Sequence, residues 1–195
     1  MIRRMRSSVA MVYDLVSVLV PADDVEAHHR QEVLPWLQST DDVYRRVKPA
    51  TPPRHLVSYV VPVDPTDGSV LLVDHINAGL WLPPGGHVEP DEHPAATAYR
   101  EAREELGIVG ANLDGQPAFV TVTDTVGIDA GHTDVSLWFL IEGRRTQQFT
   151  PDAGEFRDVR WWTQAELRAA DPARFDPHFT RFCAKVWRNE RARLG

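Results

Sequence analysis

The sequence predicts an α/β protein in which one mixed β-sheet carries helices on both sides, behind a helical N-terminal extension. Three observations carry this prediction. Short apolar runs of strand length recur along the chain, the clearest being the valine-rich His55 to Val63 and the largely apolar Thr133 to Ile141. The stretch Pro94 to Leu106 has the marks of a helix placed between such runs. Further helical patterns precede the first strand and follow the last. With 195 residues, 43% of them hydrophobic, the chain can bury a substantial core.

The N-terminal elements are read as residues 1–50, a helical extension and linker, ahead of a main domain at 51–195. Arg3, Arg4 and Arg6 precede an apolar run from Val9 to Val20. Asp14 interrupts that run, which is too short to span a bilayer, and no small-residue cleavage site follows. A short amphipathic helix and a cytoplasmic protein without a membrane partner are the expectation. A second helix is expected from Pro21 to Leu37, with Pro35 ending or kinking it early. His28 and His29 lie on different helix faces, which favours packing or surface roles over metal binding. Residues 41–54, with Pro49, Pro52 and Pro53, read as a linker.

In the main domain, His55 to Val63 and Ser69 to Asp74 flank the turn sequence Asp64-Pro65-Thr66-Asp67-Gly68 and form a hairpin. A short extended piece, Gly79 to Leu82, leads into Pro83-Pro84-Gly85-Gly86, where two glycines let the backbone approach a ligand. The helix from Pro94 has proline at its first position and Gly107 just past its end. Strands are expected at Ala118 to Thr125, Thr133 to Ile141 and Val159 to Trp162. Thr163 to Glu166 has the pattern of a capping box, and Asp176-Pro177 opens a last helix. The net charge of −7 argues against a nucleic-acid-binding surface. A lone cysteine, Cys183, cannot form an intrachain disulfide and reads as a buried packing residue.

The central helix concentrates charge. Glu101, Glu104 and Glu105 stand at i, i+3 and i+4 and share one face, beside an apolar stripe of Ala95, Ala98, Tyr99, Ala102 and Leu106. Three carboxylates repel one another, and Arg100 answers only part of that charge. A divalent cation can balance the rest, and hard oxygen ligands suit Mg²⁺ or Mn²⁺ over zinc. A solvated outer helix face is the plainer reading of such a charge run.

The longer string decides between them. Gly86, Glu92, Arg100-Glu101, Ala102, Glu104-Glu105, Gly107 and Ile108 fall at spacings that resemble a complete Nudix box, with alanine at 102 where the family more often has a larger aliphatic. The resemblance implies an α/β/α sandwich and Mg²⁺-dependent hydrolysis of the diphosphate linkage in a nucleoside diphosphate derivative. It also implies metal ligation by Glu101, Glu104 and Glu105, orientation of these carboxylates by Arg100, and a carbonyl from Gly85-Gly86 completing the shell. Catalysis is assigned to Glu104, Glu101 and Arg100. The general base is expected at Glu104, with Glu101 and an outside acid such as Glu155 as alternatives.

The resemblance implies a small nucleotide as substrate. The stretch after the box lacks the strings that mark branches acting on ADP-ribose, coenzyme A, NADH or diadenosine polyphosphates, which favours a nucleoside triphosphate pyrophosphohydrolase. An ADP-ribose or nucleotide-sugar diphosphatase and a non-catalytic nucleotide sensor are the alternatives, and an isopentenyl diphosphate isomerase-like enzyme would need a better placed cysteine. Gly85, Gly86, Trp81 and Glu155 are the expected substrate-binding residues. Trp81, Phe119 and Trp138 could stack on a base, although aromatics in strand patterns belong more often to the core. His132 and Asp134 read as polar residues at a strand start, with a surface position expected. The N-terminal extension is open to two roles, capping the active site or forming a homodimer.

Overall fold

The computed structural model describes residues 4–48, 50–108, 115–149 and 151–193, so Arg3 and Pro49 lie outside the described residues. The strands are β1 (Arg54–Val63), β2 (Val70–His75), β3 (Leu80–Leu82), β4 (Gly85–His87), β5 (Phe119–Asp124), β6 (Thr133–Glu142) and β7 (Phe156–Trp162). The helices are α1 (Ser7–Ser17), α2 (Asp24–Ser39), α3 (Pro94–Leu106), α4 (Gln164–Ala169) and α5 (Phe179–Arg193). Strand order is β3-β2-β1-β6-β5, with β4 added to β1 and β7 added to β2. The sheet is mixed because β1 and β6 run parallel along their whole length while every other pairing is antiparallel.

Alternation along β1 and β6 divides the apolar residues between two cores. Leu56, Val60, Val135, Leu137 and Phe139 face α1, α2 and α3, whose Val9, Val12, Val33, Leu37, Ala98 and Leu106 complete the first core. Val61, Val63 and Trp138 face the other way, toward Phe179, Phe182, Cys183 and Val186 of α5. Helices therefore cover both faces, as the sequence predicts. Cys183 is buried and burial alone pushes its thiol above the usual range, which fits its packing role.

α3 begins and ends where the sequence places it. Its Pro94 follows the N-cap His93, whose Nδ1 accepts from the Ala95 N–H, and Gly107 closes the helix in the left-handed region at φ 69°. Two readings of the N-terminal part need correction. Helix α2 runs through Pro35 to Ser39, because Val33 and Leu37 are fully buried while Pro35 and its helical partner Gln31 are exposed. The segment 41–54 is a packed element and not a simple linker. Val43 and Tyr44 are buried in the first core, and the Val43 carbonyl accepts from the Leu56 N–H at 2.8 Å.

Charge pairs tie the N-terminal helices to the C-terminal one. Asp23, the N-cap of α2, meets Arg181 at 2.6 Å, and hydrogen bonding from that guanidinium holds Asp23 down at about 2. Glu26 is fully buried and bonded to Lys185 at 2.7 Å. His29 is buried with its ring edge-on to His178, a packing role as expected. Among the described residues no helix is long and apolar enough to cross a membrane.

Candidate active site

α3 lies against β1 and β4 with its alanine stripe inward, and β4 is the glycine pair plus His87. The absence of a side chain at 86 lets the glutamate face approach, and its absence at 85 lets β4 lie close against β1. A Cβ on Gly86 would stand 2.2 Å from Glu101 Oε1, and one on Gly85 would stand 2.3 Å from the Ser58 carbonyl oxygen. The Gly85 N–H donates to Glu105 Oε2 at 3.0 Å. The glycine segment is a short strand that pairs with β1 through Val57, Ser58 and Tyr59.

Arg100 organises the polar side of the helix. Its guanidinium donates to both oxygens of Glu92 at 3.2 Å, to Glu101 Oε1 at 2.6 Å and to Glu104 Oε2 at 3.5 Å. Glu92 also accepts from the Thr97 hydroxyl at 2.7 Å. Burial alone would raise Glu92, yet these hydrogen bonds hold it below the usual carboxylate range. Glu104, the i, i+4 neighbour of Arg100, is thus the most distant of its three carboxylate partners. A bidentate pairing to Glu92 was not foreseen, although its position in the box was the available signal.

The two inner carboxylates are perturbed in the opposite sense. Glu101 is raised by burial against the opposing pull of Arg100. Glu105, with 7% of its surface exposed, is pushed up to about 9 by burial and then by the charges of Glu101 and Glu155. Two carboxylates that raise one another's proton affinity, one buried and one half-buried, favour a proton or a cation shared between them. Their oxygen-only donor set, with the Gly85-Gly86 backbone alongside, fits a hard cation such as Mg²⁺.

Glu101, Glu105, Gly85, Gly86 and Glu155 line one cavity of about 800 Å³, within the range of small-molecule sites. Tyr59, Asp134, Ser136 and Asp176 also line it, as do Arg45 and Lys48 from the packed 41–54 segment. Asp176 is raised to about 6 by burial, against the His178 N–H that bonds it. The Glu104 side chain, half exposed, does not line the cavity. Neither does Trp81, whose indole is buried in the second core edge-on to Trp162 at 5.2 Å. Phe119 and Trp138 are likewise core, and Tyr59, Phe156 and Phe175 are the tyrosine and phenylalanine side chains that line the cavity. Nothing in its strand pattern distinguishes Tyr59 from a core residue. His132, expected at the surface, is buried.

Comparison with known proteins agrees with this architecture. The model of the NUDIX domain matches residues 53–182. The chain belongs to the Nudix family. Over 33 residues it is 54% identical to the mouse asymmetrical bis(5'-nucleosyl)-tetraphosphatase, a match covering 17% of this chain and 22% of that protein. Over 57 residues it is 42% identical to the CTP pyrophosphohydrolase of Escherichia coli K12, covering 27% of this chain and 42% of that protein. The chain thus spans less than half the length of these curated relatives. The crystal structure of a MutT protein from Methanosarcina mazei shares the fold, with a TM-score of 0.56, 20% identity, and 69% of this chain and 93% of that one covered.

Proposed function

We propose that the protein hydrolyses a nucleoside triphosphate to the monophosphate and pyrophosphate, using Mg²⁺, or Mn²⁺ in its place, held by Glu101, Glu104 and Glu105. The observation that carries the proposal is the pair of half-buried Glu101 and buried Glu105 lining a nucleotide-sized cavity, with Glu105 raised to about 9. When bound, such a cation neutralises phosphate oxygens and lowers the pKa of a coordinated water. The relationship to a CTP pyrophosphohydrolase over 57 residues supports the choice of a triphosphate.

The chain's own groups supply the rest. Arg100, held by Glu92, keeps the Glu101 carboxylate turned toward Gly86. Arg45 and Lys48 bring positive charge to the cavity edge, where a phosphate chain enters. Tyr59 offers a ring to a base or ribose. Glu155 accepts the proton of the attacking water. It lines the cavity, and its charge acts on both Glu101 and Glu105. Glu104, tied to Arg100 and Arg103 at 3.5 Å each, is better suited to the outer side of the metal shell than to the base.

The test is a panel of nucleoside triphosphates, dinucleoside polyphosphates, ADP-ribose and nucleotide sugars with Mg²⁺ in ¹⁸O-labelled water. A triphosphate should be the best substrate, giving monophosphate and pyrophosphate with one label in a phosphate-bearing product. Preference for another class would replace the substrate, and binding without turnover across the panel would favour a sensor. In the same assay Glu155→Gln should lower kcat by about 10²- to 10⁴-fold with little change in KM, as loss of a general base does. A larger kcat loss in Glu104→Gln than in Glu155→Gln would return the base to Glu104.

A further inference from the structure

Three residues of the cavity wall, His87, His132 and Asp134, join the fully buried His55 in a second set of donors that the proposed hydrolysis leaves unused. In the parallel β1–β6 pair His55 stands opposite Asp134, and in the β1–β4 pair Val57 stands opposite His87. Side chains alternate along a strand and register partners share a face, so His55, Asp134 and His87 point to the same side, joined by His132 two residues before Asp134. One ligand atom from each of the four lies within 4.8 Å of all the others.

The local hydrogen bonds fix which atoms face inward. His55 Nδ1 is 2.8 Å from the Pro52 carbonyl, which can only accept, so the proton sits on Nδ1 and Nε2 presents its lone pair. The Thr125 hydroxyl donates to the His132 carbonyl at 3.0 Å and can accept from His132 Nδ1 at 3.2 Å, which again leaves Nε2 as the acceptor. Asp134 Oδ1 lies 3.3 Å from His55 Nε2 and 3.4 Å from His132 Nε2. His55 is fully buried, and its Nε2, like Asp134 Oδ1 and His87 Nε2, is a buried atom with no hydrogen-bond partner. Acceptor atoms of three side chains therefore converge at near-contact distance without a hydrogen bond among them, an arrangement that something electron-poor must complete.

We propose that His55, His87, His132 and Asp134 form a binding site for a divalent transition-metal ion of the zinc class, sharing no ligand with the glutamate site. Imidazole donors suit zinc and its neighbours, whereas Mg²⁺ takes oxygen. Zinc bonds of about 2.0–2.1 Å imply tetrahedral donor spacings of about 3.4 Å, which both Asp134 contacts match. The widest spacing, 4.8 Å, exceeds that by about 1.4 Å, which rotation of an imidazole ring can close. The backbone carbonyl on His55 and the hydroxyl on His132 are the outer partners that orient metal-bound histidines. Four protein ligands fill a tetrahedral shell, so the site is a structural clamp with no open position for chemistry. It joins the start of β1, the end of β4 and the start of β6. His87 directly follows Gly86, so the clamp fixes the glycine strand on which Glu101 and Glu105 rest.

The full chain, stripped with chelator, should bind one equivalent of Zn²⁺ in competition with a chromophoric chelator. Binding should survive Glu101→Gln combined with Glu104→Gln and Glu105→Gln, and should weaken at least about tenfold in His87→Gln and in Asp134→Asn. Zn²⁺ should also shift the Nε2 resonances of His55, His87 and His132 in ¹⁵N spectra of the unaltered chain, a readout that stands if a variant fails to fold. Absence of stoichiometric binding, histidine resonances unmoved by one equivalent, affinity unchanged in both variants, or affinity lost with the glutamates would each overturn the assignment.

Discussion

Glu105 Oε2 accepts a hydrogen bond of 3.0 Å from the Gly85 N–H, joining the last turn of α3 to the first residue of β4 across 20 positions of sequence. The bond opposes the burial and the neighbouring charges of Glu101 and Glu155 without overcoming them, which leaves Glu105 at about 9. This relationship couples the stability of the metal-free protein to pH.

The sign follows from the shift. A carboxyl raised on folding from 4.5 to about 9 contributes stability that is complete below the unfolded value and is lost as pH rises through the folded one. The metal-free protein should therefore melt at falling temperature between about pH 5 and 9. Glu105→Gln should flatten that slope and, at the alkaline end, melt above the unaltered chain. Each 1 kcal/mol gained corresponds to roughly 2–4 °C for a chain of this size. Calorimetry with chelator present reads both curves, and parallel curves would show that Glu105 is not the group responsible.

Gly86→Ala tests the close approach of strand and helix. The added methyl would meet Glu101 Oε1 at 2.2 Å, so the carboxylate must move. A displacement of about 1 Å at a reacting centre can lower turnover on the order of 10²-fold. Steady-state kinetics with Mg²⁺ should show that loss while circular dichroism remains unchanged; unimpaired turnover would mean that the position of Glu101 is not critical.

Metal removal gives the simplest check. Turnover of any substrate should vanish in chelator and return with Mg²⁺ or Mn²⁺, since the inner carboxylates need a hard cation to act on phosphate. Persistent activity in chelator would rule out the proposed chemistry.

Lys185→Met probes the attachment of the N-terminal helices. Burial pushes Glu26 up and Lys185 down, both toward neutrality, and their 2.7 Å contact opposes these shifts. Removing one partner of a buried pair costs about 3–5 kcal/mol, and replacing both by neutral groups costs far less. Denaturant titration should show the large loss for Lys185→Met and most of it recovered when Glu26→Gln is added. Equal stability of single and double variants would mean that the pair does not hold α2 to α5.

The sequence by itself determined the elements whose causes are local. Pro94 and Gly107 bound α3, the spacing of Glu101, Glu104 and Glu105 puts them near one another, and the Nudix resemblance follows from residues within one short stretch. A valine-rich run likewise located β1, and an apolar run located β6. What the tertiary structure alone decided depends on contacts between residues distant in sequence. Glu101 and Glu105 turn inward while Glu104 stays half exposed because α3 rests on the glycine strand, and no helical spacing encodes that tilt. The 41–54 segment is packed because Val43 and Tyr44 find a core contributed by strands and helices from elsewhere in the chain. His55, His87, His132 and Asp134 meet because β4 and β6 flank β1 in a particular register, and register is a property of the assembled sheet.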